Sequence, residues 1–236
     1  VPATGPVRAH DVAATVGCAL GRAPARGVVY AAPRAPAPPG AIPMITDRYP
    51  LASLEAMPAD LREQLLAVQQ KAGFVPNVFL KLARRPAEFR AFVAYHDALM
   101  LKEGGLTKGE REMIVVATSG ANDCLYCVVA HGAILRIYEK HPQIADQLAT
   151  NWRKADLTPR QRAMIGFAMK VALDSRAIDD HDFRELHAHG FSDEDAWDIA
   201  SIAAFFAMSN RLANAVGMMP NNEFYLMGRV PREKKG

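Results

Sequence analysis

Residues Gly109 to Gly132 read GEREMIVVATSGANDCLYCVVAHG and contain Glu112, Cys124, Tyr126, Cys127 and His131 in the pattern Glu-x11-Cys-x-Tyr-Cys-x3-His. The two thiols and the imidazole fall at i, i+3 and i+7, so a helix carrying them turns all three to one face. Asn122 and Asp123 are N-cap residue types, and the periodicity that follows predicts a helix over Asp123 to His141. Cys124 then lies in the first turn with Cys127 one turn further in. Free backbone N–H groups and the positive end of the helix dipole favour a thiolate there. A Cys-x-x-Cys pair also closes a disulfide without large backbone movement, so one sulfur can attack and the other resolve.

The carboxylate comes from the helix before it. Leu106-Thr107-Lys108-Gly109-Glu110 has the form of a capping box, with Thr107 at N-cap and Glu110 at N3. A helix from Thr107 to about Gly120 puts Glu112 in its second turn. The short Gly-Ala-Asn-Asp link folds it back antiparallel to the cysteine helix, so Glu112 can face His131. A Glu/His pair beside a thiol is suited to relaying protons.

This constellation resembles the alkylhydroperoxidase D (AhpD-like) family of the carboxymuconolactone decarboxylase superfamily, and especially its peroxidase-related branch. Tyr126 precedes the second cysteine as in the Cys-Pro-Tyr-Cys form of that branch, with Leu125 where the proline would be. Asn210-Arg211-Leu212-Ala213 and Pro220-Asn221-Asn222-Glu223-Phe224 also resemble it, and the likeness runs from about Met44 to Gly228. The resemblance implies an all-α, AhpD-like domain that reduces organic hydroperoxides or hydrogen peroxide by a dithiol/disulfide cycle. It implies Cys127 as the attacking thiolate, Cys124 as the resolving thiol, Glu112 with His131 as the relay, and Tyr126 in support. It further implies an external dithiol reductant, protein or lipoyl-type, and a homo-oligomer; the cycle requires no cofactor or metal.

The rest of the chain reads as helices: Pro58 to Ala72, Pro86 to Lys102, Pro142 to Asn151, Thr158 to Asp174, Asp180 to His189 and Ser192 to Val216. Gly73, Gly104-Gly105, Gly190 and Gly217 punctuate them as C-caps or turns. The segment LTKGEREMI from Leu106 matches LTPRQRAMI from Leu157 at an offset of 51 residues (106 to 157), with Thr158 at N-cap and Pro159 at N1. The pattern predicts a duplicated helical unit whose second copy lacks the chemistry: Glu112 maps onto Ala163, Cys124 onto Ser175, Cys127 onto Ile178 and His131 onto Asp182.

Half of the 236 residues are hydrophobic and 22% are charged, ordinary values for a globular chain. Residues 1–43 differ, with eight of the sixteen prolines, four arginines and one acid, Asp11. Such a segment cannot offset its ordering entropy by burial. It reads as a flexible tail, an Arg-rich targeting peptide, or non-native sequence ahead of a start at Met44; the last is the preferred expectation, with the domain at 44–236. A secretory signal is not expected there, because no continuous apolar run is present. The longest apolar run, Ile199 to Met208, is about half of a membrane span. No basic stripe suggests nucleic acid, and Arg232-Glu233-Lys234-Lys235 reads as a solvated end. Three cysteines do not make a secreted disulfide scaffold, so the expected compartment is the cytoplasm.

Competing readings attach to the same residues. Cys124, Cys127 and His131 could ligate zinc, which needs a fourth donor, or act as a thiol redox sensor. A cysteine-independent, decarboxylase-like reaction of the same superfamily is the other alternative. His187 and His189 read as solvated, and His96 and His141 have no supporting pattern. Phe205, Phe206, Met208, Met218 and Met219 read as core or subunit interface. Arg211 reads as the anchor of a buried polar contact without a catalytic role.

Overall fold

The computed structural model describes residues 48–229. The expectations for residues 1–43 and for the basic C-terminal end lie outside the described residues. Ten α-helices occur among those residues, with no strand. They are α1 Ala59–Ala72, α2 Asn77–Leu82, α3 Pro86–Met100, α4 Lys108–Ala121, α5 Leu125–Glu139, α6 Ile144–Asn151, α7 Pro159–Asp174, α8 Asp180–Ala188, α9 Asp193–Ala215 and α10 Glu223–Leu226. Among the described residues, no helix is long and apolar enough to cross a membrane.

The all-α expectation holds, and α4 is the axis of the fold. Every residue from Gly109 to Ser119 is buried, because α5, α6, α7 and α9 pack around it. Gly120 lets α6 come close: a Cβ there would lie 2.5 Å from the Ala149 carbonyl oxygen. The capping box is formed, with Thr107 Oγ1 accepting from Glu110 N at 3.1 Å and Glu110 Oε2 from Thr107 N at 2.8 Å. Thr158 and Gln161 do the same for α7 at 3.2 and 3.0 Å.

The two similar segments also do similar work. Arg111 donates to the carbonyls of Leu99 and Lys102, and Arg162 to those of Arg153 and Ala155, so each arginine ties its helix to the chain just before it. The likeness ends there. Cys124 starts a 15-residue helix, whereas Ser175 starts a 3₁₀ turn, with α8 beginning only at Asp180. The shared feature is one capped helix each, and a duplicated unit is not established.

Two helices have no clear sequence signal. The six-residue α2 follows Pro76, which cannot cap it by side chain. Its first N–H groups are met from far along the chain: Asn77 N donates to Asn221 Oδ1 at 2.7 Å and Val78 N to the Tyr126 hydroxyl at 3.2 Å. Asn221 Nδ2 returns a bond to Val75 O at 3.1 Å, so the Pro220-Asn221-Asn222 segment is a clamp on α2. The buried Arg136 holds α10 by donating to the carbonyls of Phe224 and Met227.

The start of the cysteine helix differs from the expectation. Asn122 and Asp123 do not cap α5; they end α4. Asn122 is the C-cap of α4, Asp123 takes a left-handed φ of 51°, and Cys124 N donates to Ser119 O at 3.0 Å while Asp123 N donates to Gly120 O at 3.1 Å. These two bonds make a Schellman closure with Asp123 in the position that glycine usually occupies. Cys124 is therefore the last residue of one motif and the N-cap of the next helix. No free linker remains between them.

A left-handed residue without glycine carries a conformational cost that a β-branched side chain enlarges. Asp123→Gly is expected to leave stability equal or raise it by up to about 1 kcal/mol, and Asp123→Val to lower it by about 1–2 kcal/mol. Urea denaturation of the reduced protein measures both.

Candidate active site

Because Cys124 is the N-cap and Cys127 is N3, the first sulfur occupies the place where a serine or aspartate oxygen would meet the opening N–H groups of α5. Both cysteines are free thiols and both are buried. They are hydrogen-bonded to each other and share one proton unevenly. The Cys127 thiol pulls Cys124 down to about 7 against the effect of burial, with help from the Cys127 backbone N–H, Asn210 and the charge of His131. Cys127 is pushed well up, first by its hydrogen bond to Cys124 and then by burial. Of the two sulfurs, Cys124 at the helix N-cap is thus the one lowered towards thiolate formation, and Cys127 is the one raised.

Cys127 is the sulfur that meets open space. It lines a narrow cavity of about 60 Å³ together with His131, His96, Ser209 and Tyr126; Cys124 does not. The remaining walls are apolar, among them Val78 and Phe79 of α2, Phe92 of α3, Ala130 of α5 and Phe206 of α9. A polar end inside an apolar sleeve suits a small ligand with one reactive polar group.

The relay pair is in contact. His131 Nδ1 and Glu112 Oε2 are 2.8 Å apart, with Glu112 almost wholly buried in α4. The bond fixes the imidazole and leaves Nε2 as its free nitrogen. Phe206 meets the ring edge-on at 4.8 Å between centroids, which holds it against rotation.

Tyr126 lines the cavity and also braces its wall. Its hydroxyl accepts the Val78 N–H and so fixes α2, a wall of the cavity; burial raises its pKa. Sequence reasoning also underrated Asn210. This fully buried residue donates to Ser119 Oγ at 2.9 Å and accepts from Asn122 Nδ2 at 3.1 Å, tying α9 to the turn that presents Cys124. A lone amide in the apolar run of α9 was the available signal. Its neighbour Arg211 is exposed and bonds only the Ala207 carbonyl of its own helix, so the expected buried anchor is Asn210 instead.

His96, without support in the sequence, lines the cavity, whereas His187 and His189 lie away from it, bonded to Asp193 and to the Glu185 carbonyl. Phe205, Phe206 and Met218 are buried as expected, and Met208 and Met219 are half exposed. Among the described residues, no group of three or more His, Cys, Asp or Glu side chains is gathered to hold a metal ion.

With this geometry in view, the comparisons define the class. The carboxymuconolactone decarboxylase family matches residues 86–146, the segment from the start of α3 into α6. The structure of an uncharacterized peroxidase-related protein from Ralstonia eutropha JMP134, described as an alkylhydroperoxidase AhpD core, is 70% identical. The match covers 78% of this chain and 97% of that one, with a TM-score of 0.77. An uncharacterized peroxidase-related protein from Silicibacter sp. TM1040 is 42% identical over 77% of this chain and 94% of its own, with a TM-score of 0.73. No curated protein gives a significant match. The chain belongs to the AhpD-like, peroxidase-related family of the carboxymuconolactone decarboxylase superfamily.

The uneven sharing of the proton has a direct readout. Thiolate ultraviolet absorbance of the reduced protein, taken as the difference from Cys124→Ser, should rise through a midpoint near pH 7 and fall away below it. Asn210→Ala should move that midpoint upward, because Asn210 lowers the pKa of both sulfurs.

Proposed function

We propose that this protein is a thiol-dependent peroxidase that reduces organic hydroperoxides or hydrogen peroxide through Cys124 and Cys127. The observation that carries this reading is the asymmetry of the pair: the thiolate-forming sulfur sits at the helix N-cap, and its hydrogen-bonded partner faces the cavity. The names of the two peroxidase-related relatives are in keeping with it.

In the proposed cycle, a peroxide enters the cavity and Cys127 passes its proton to the Cys124 thiolate as its own sulfur attacks the distal peroxide oxygen. The O–O bond breaks, the departing alkoxide takes up a proton drawn from water, directly or through a side chain of the cavity, to become an alcohol, and Cys127 is left as a sulfenic acid. His131, held by Glu112, then removes the proton from Cys124. The Cys124 thiolate attacks the sulfenic sulfur, the S–O bond breaks, and the hydroxide takes the proton from His131 and leaves as water. The product is a Cys124–Cys127 disulfide. An external dithiol of protein or lipoyl type reduces it and returns both electrons. The working form is a homo-oligomer, for which the exposed Trp197 and Met208 of α9 provide apolar contact surface.

Turnover of cumene hydroperoxide with a small dithiol as reductant tests the reading. Cys127→Ser should abolish turnover. Glu112→Gln should lower it by about 10²–10⁴-fold, the usual contribution of acid–base catalysis. Full turnover by Cys127→Ser would refute the assigned nucleophile.

A further inference from the structure

Resting on the peroxidase reading, we propose that His96 is a second catalytic histidine, the acid that protonates the oxygen leaving the peroxide. His96 lines the cavity that holds Cys127 and His131, and its ring centroid is 6.4 Å from that of His131. The two histidines are built alike. His131 has its Nδ1 on Glu112 at 2.8 Å, and His96 has its Nδ1 on Asp97 Oδ1 at 2.9 Å, so each ring keeps Nε2 for another partner.

Asp97 is itself buried, and its second oxygen, Oδ2, has no hydrogen-bond partner among the described residues. A buried carboxylate with one oxygen unmet is costly unless a positive group stands beside it. His96 is the side chain bonded to its other oxygen, and the pair sets an imidazole, anchored at Nδ1, in the cavity wall where a proton can be delivered.

Peroxide reduction needs a proton at a particular place. When sulfur attacks one oxygen, the other departs on the opposite side, and an alkoxide is a poor leaving group without a proton. His131 is on the same helix as Cys127, one turn away, so it stands beside the nucleophile. His96 comes from α3, a different wall. The geometry divides the work: His131 and Glu112 serve the thiols, and His96 and Asp97 serve the departing oxygen. In the step itself, the Cys127 sulfur bonds to the distal oxygen, the O–O bond breaks with its electron pair going to the proximal oxygen, and that oxygen takes the proton from His96 Nε2. The ring is reprotonated from water after the alcohol leaves. Asp97 is a positioning residue, since it acts through His96.

The test compares two oxidants that differ in their need for a proton. tert-Butyl hydroperoxide must release an alkoxide, whereas peracetic acid releases a carboxylate that is stable without one. Single-turnover oxidation of the reduced protein is followed for the wild type, His96→Gln and Asp97→Asn. His96→Gln is expected to slow the reaction with tert-butyl hydroperoxide by about 100-fold or more and that with peracetic acid by less than about tenfold. Asp97→Asn should show the same contrast, reduced in size. The thiolate titration of each variant reports whether the cysteine turn is intact. Equal losses with both oxidants would mean that His96 only supports the wall, and equal rates to wild type with both would mean that it has no part; either result overturns the proposal. Wild-type thiols inert to both oxidants would instead overturn the peroxidase reading, and this one with it.

Discussion

The closure at Asp123 is the constraint on which the site depends. One residue in the left-handed region ends α4 and hands the chain directly to α5, with Cys124 serving both helices. With no slack in the link, the two helices must lie side by side. Glu112 on the first then reaches His131 on the second, nineteen residues away in sequence, at hydrogen-bond distance. A longer, looser link would leave that buried carboxylate without its partner, which is among the costlier defects a core can contain. Asn210 reinforces the same point from a third helix by bonding Ser119 and Asn122. The chemistry is thus set by backbone geometry before any side chain is considered.

The consequence is a division between the two sulfurs. A helix N-terminus stabilises negative charge at its cap, so the charge collects on Cys124, yet the cavity opens at Cys127. The sulfur lowered towards thiolate formation is therefore set apart from the cavity, and the raised one faces it. The walls around it are apolar, with Phe79, Phe92 and Phe206 among them. Tyr126, between the cysteines, fixes that sleeve by meeting the start of α2, which gives a hydroxyl at this position a structural task.

Much of the fold was legible because its signals are local. Thr107 with Glu110 and Thr158 with Gln161 mark helix starts by bonds three residues apart, and Gly73 marks the end of α1 by its positive φ. The pattern at Glu112, Cys124, Cys127 and His131 was legible for the same reason, as periodicity within two neighbouring helices. What escaped depends on distance. The short α2 has no capping residue of its own and exists because Asn221 and Tyr126, 144 and 48 residues away, satisfy its first N–H groups. His96 carries no pattern in sequence and gains meaning only because α3 brings it to the wall of the cavity that Cys127 and His131 of α5 also line. The N-cap is Cys124 and not Asn122 or Asp123, because Asn and Asp are suited both to capping a helix start and to adopting the left-handed geometry that ends one.

The most direct test is to find which sulfur receives the peroxide oxygen. The reduced Cys124→Ser variant, treated with one equivalent of an organic hydroperoxide and a sulfenic-acid trap, is digested and read by mass spectrometry beside the wild type. The trap on Cys127 in the variant, with a Cys124–Cys127 disulfide in the wild type, is the predicted result. An unmodified Cys127 in that variant, with the trap found instead on Cys124 in the reciprocal Cys127→Ser protein, would contradict the account.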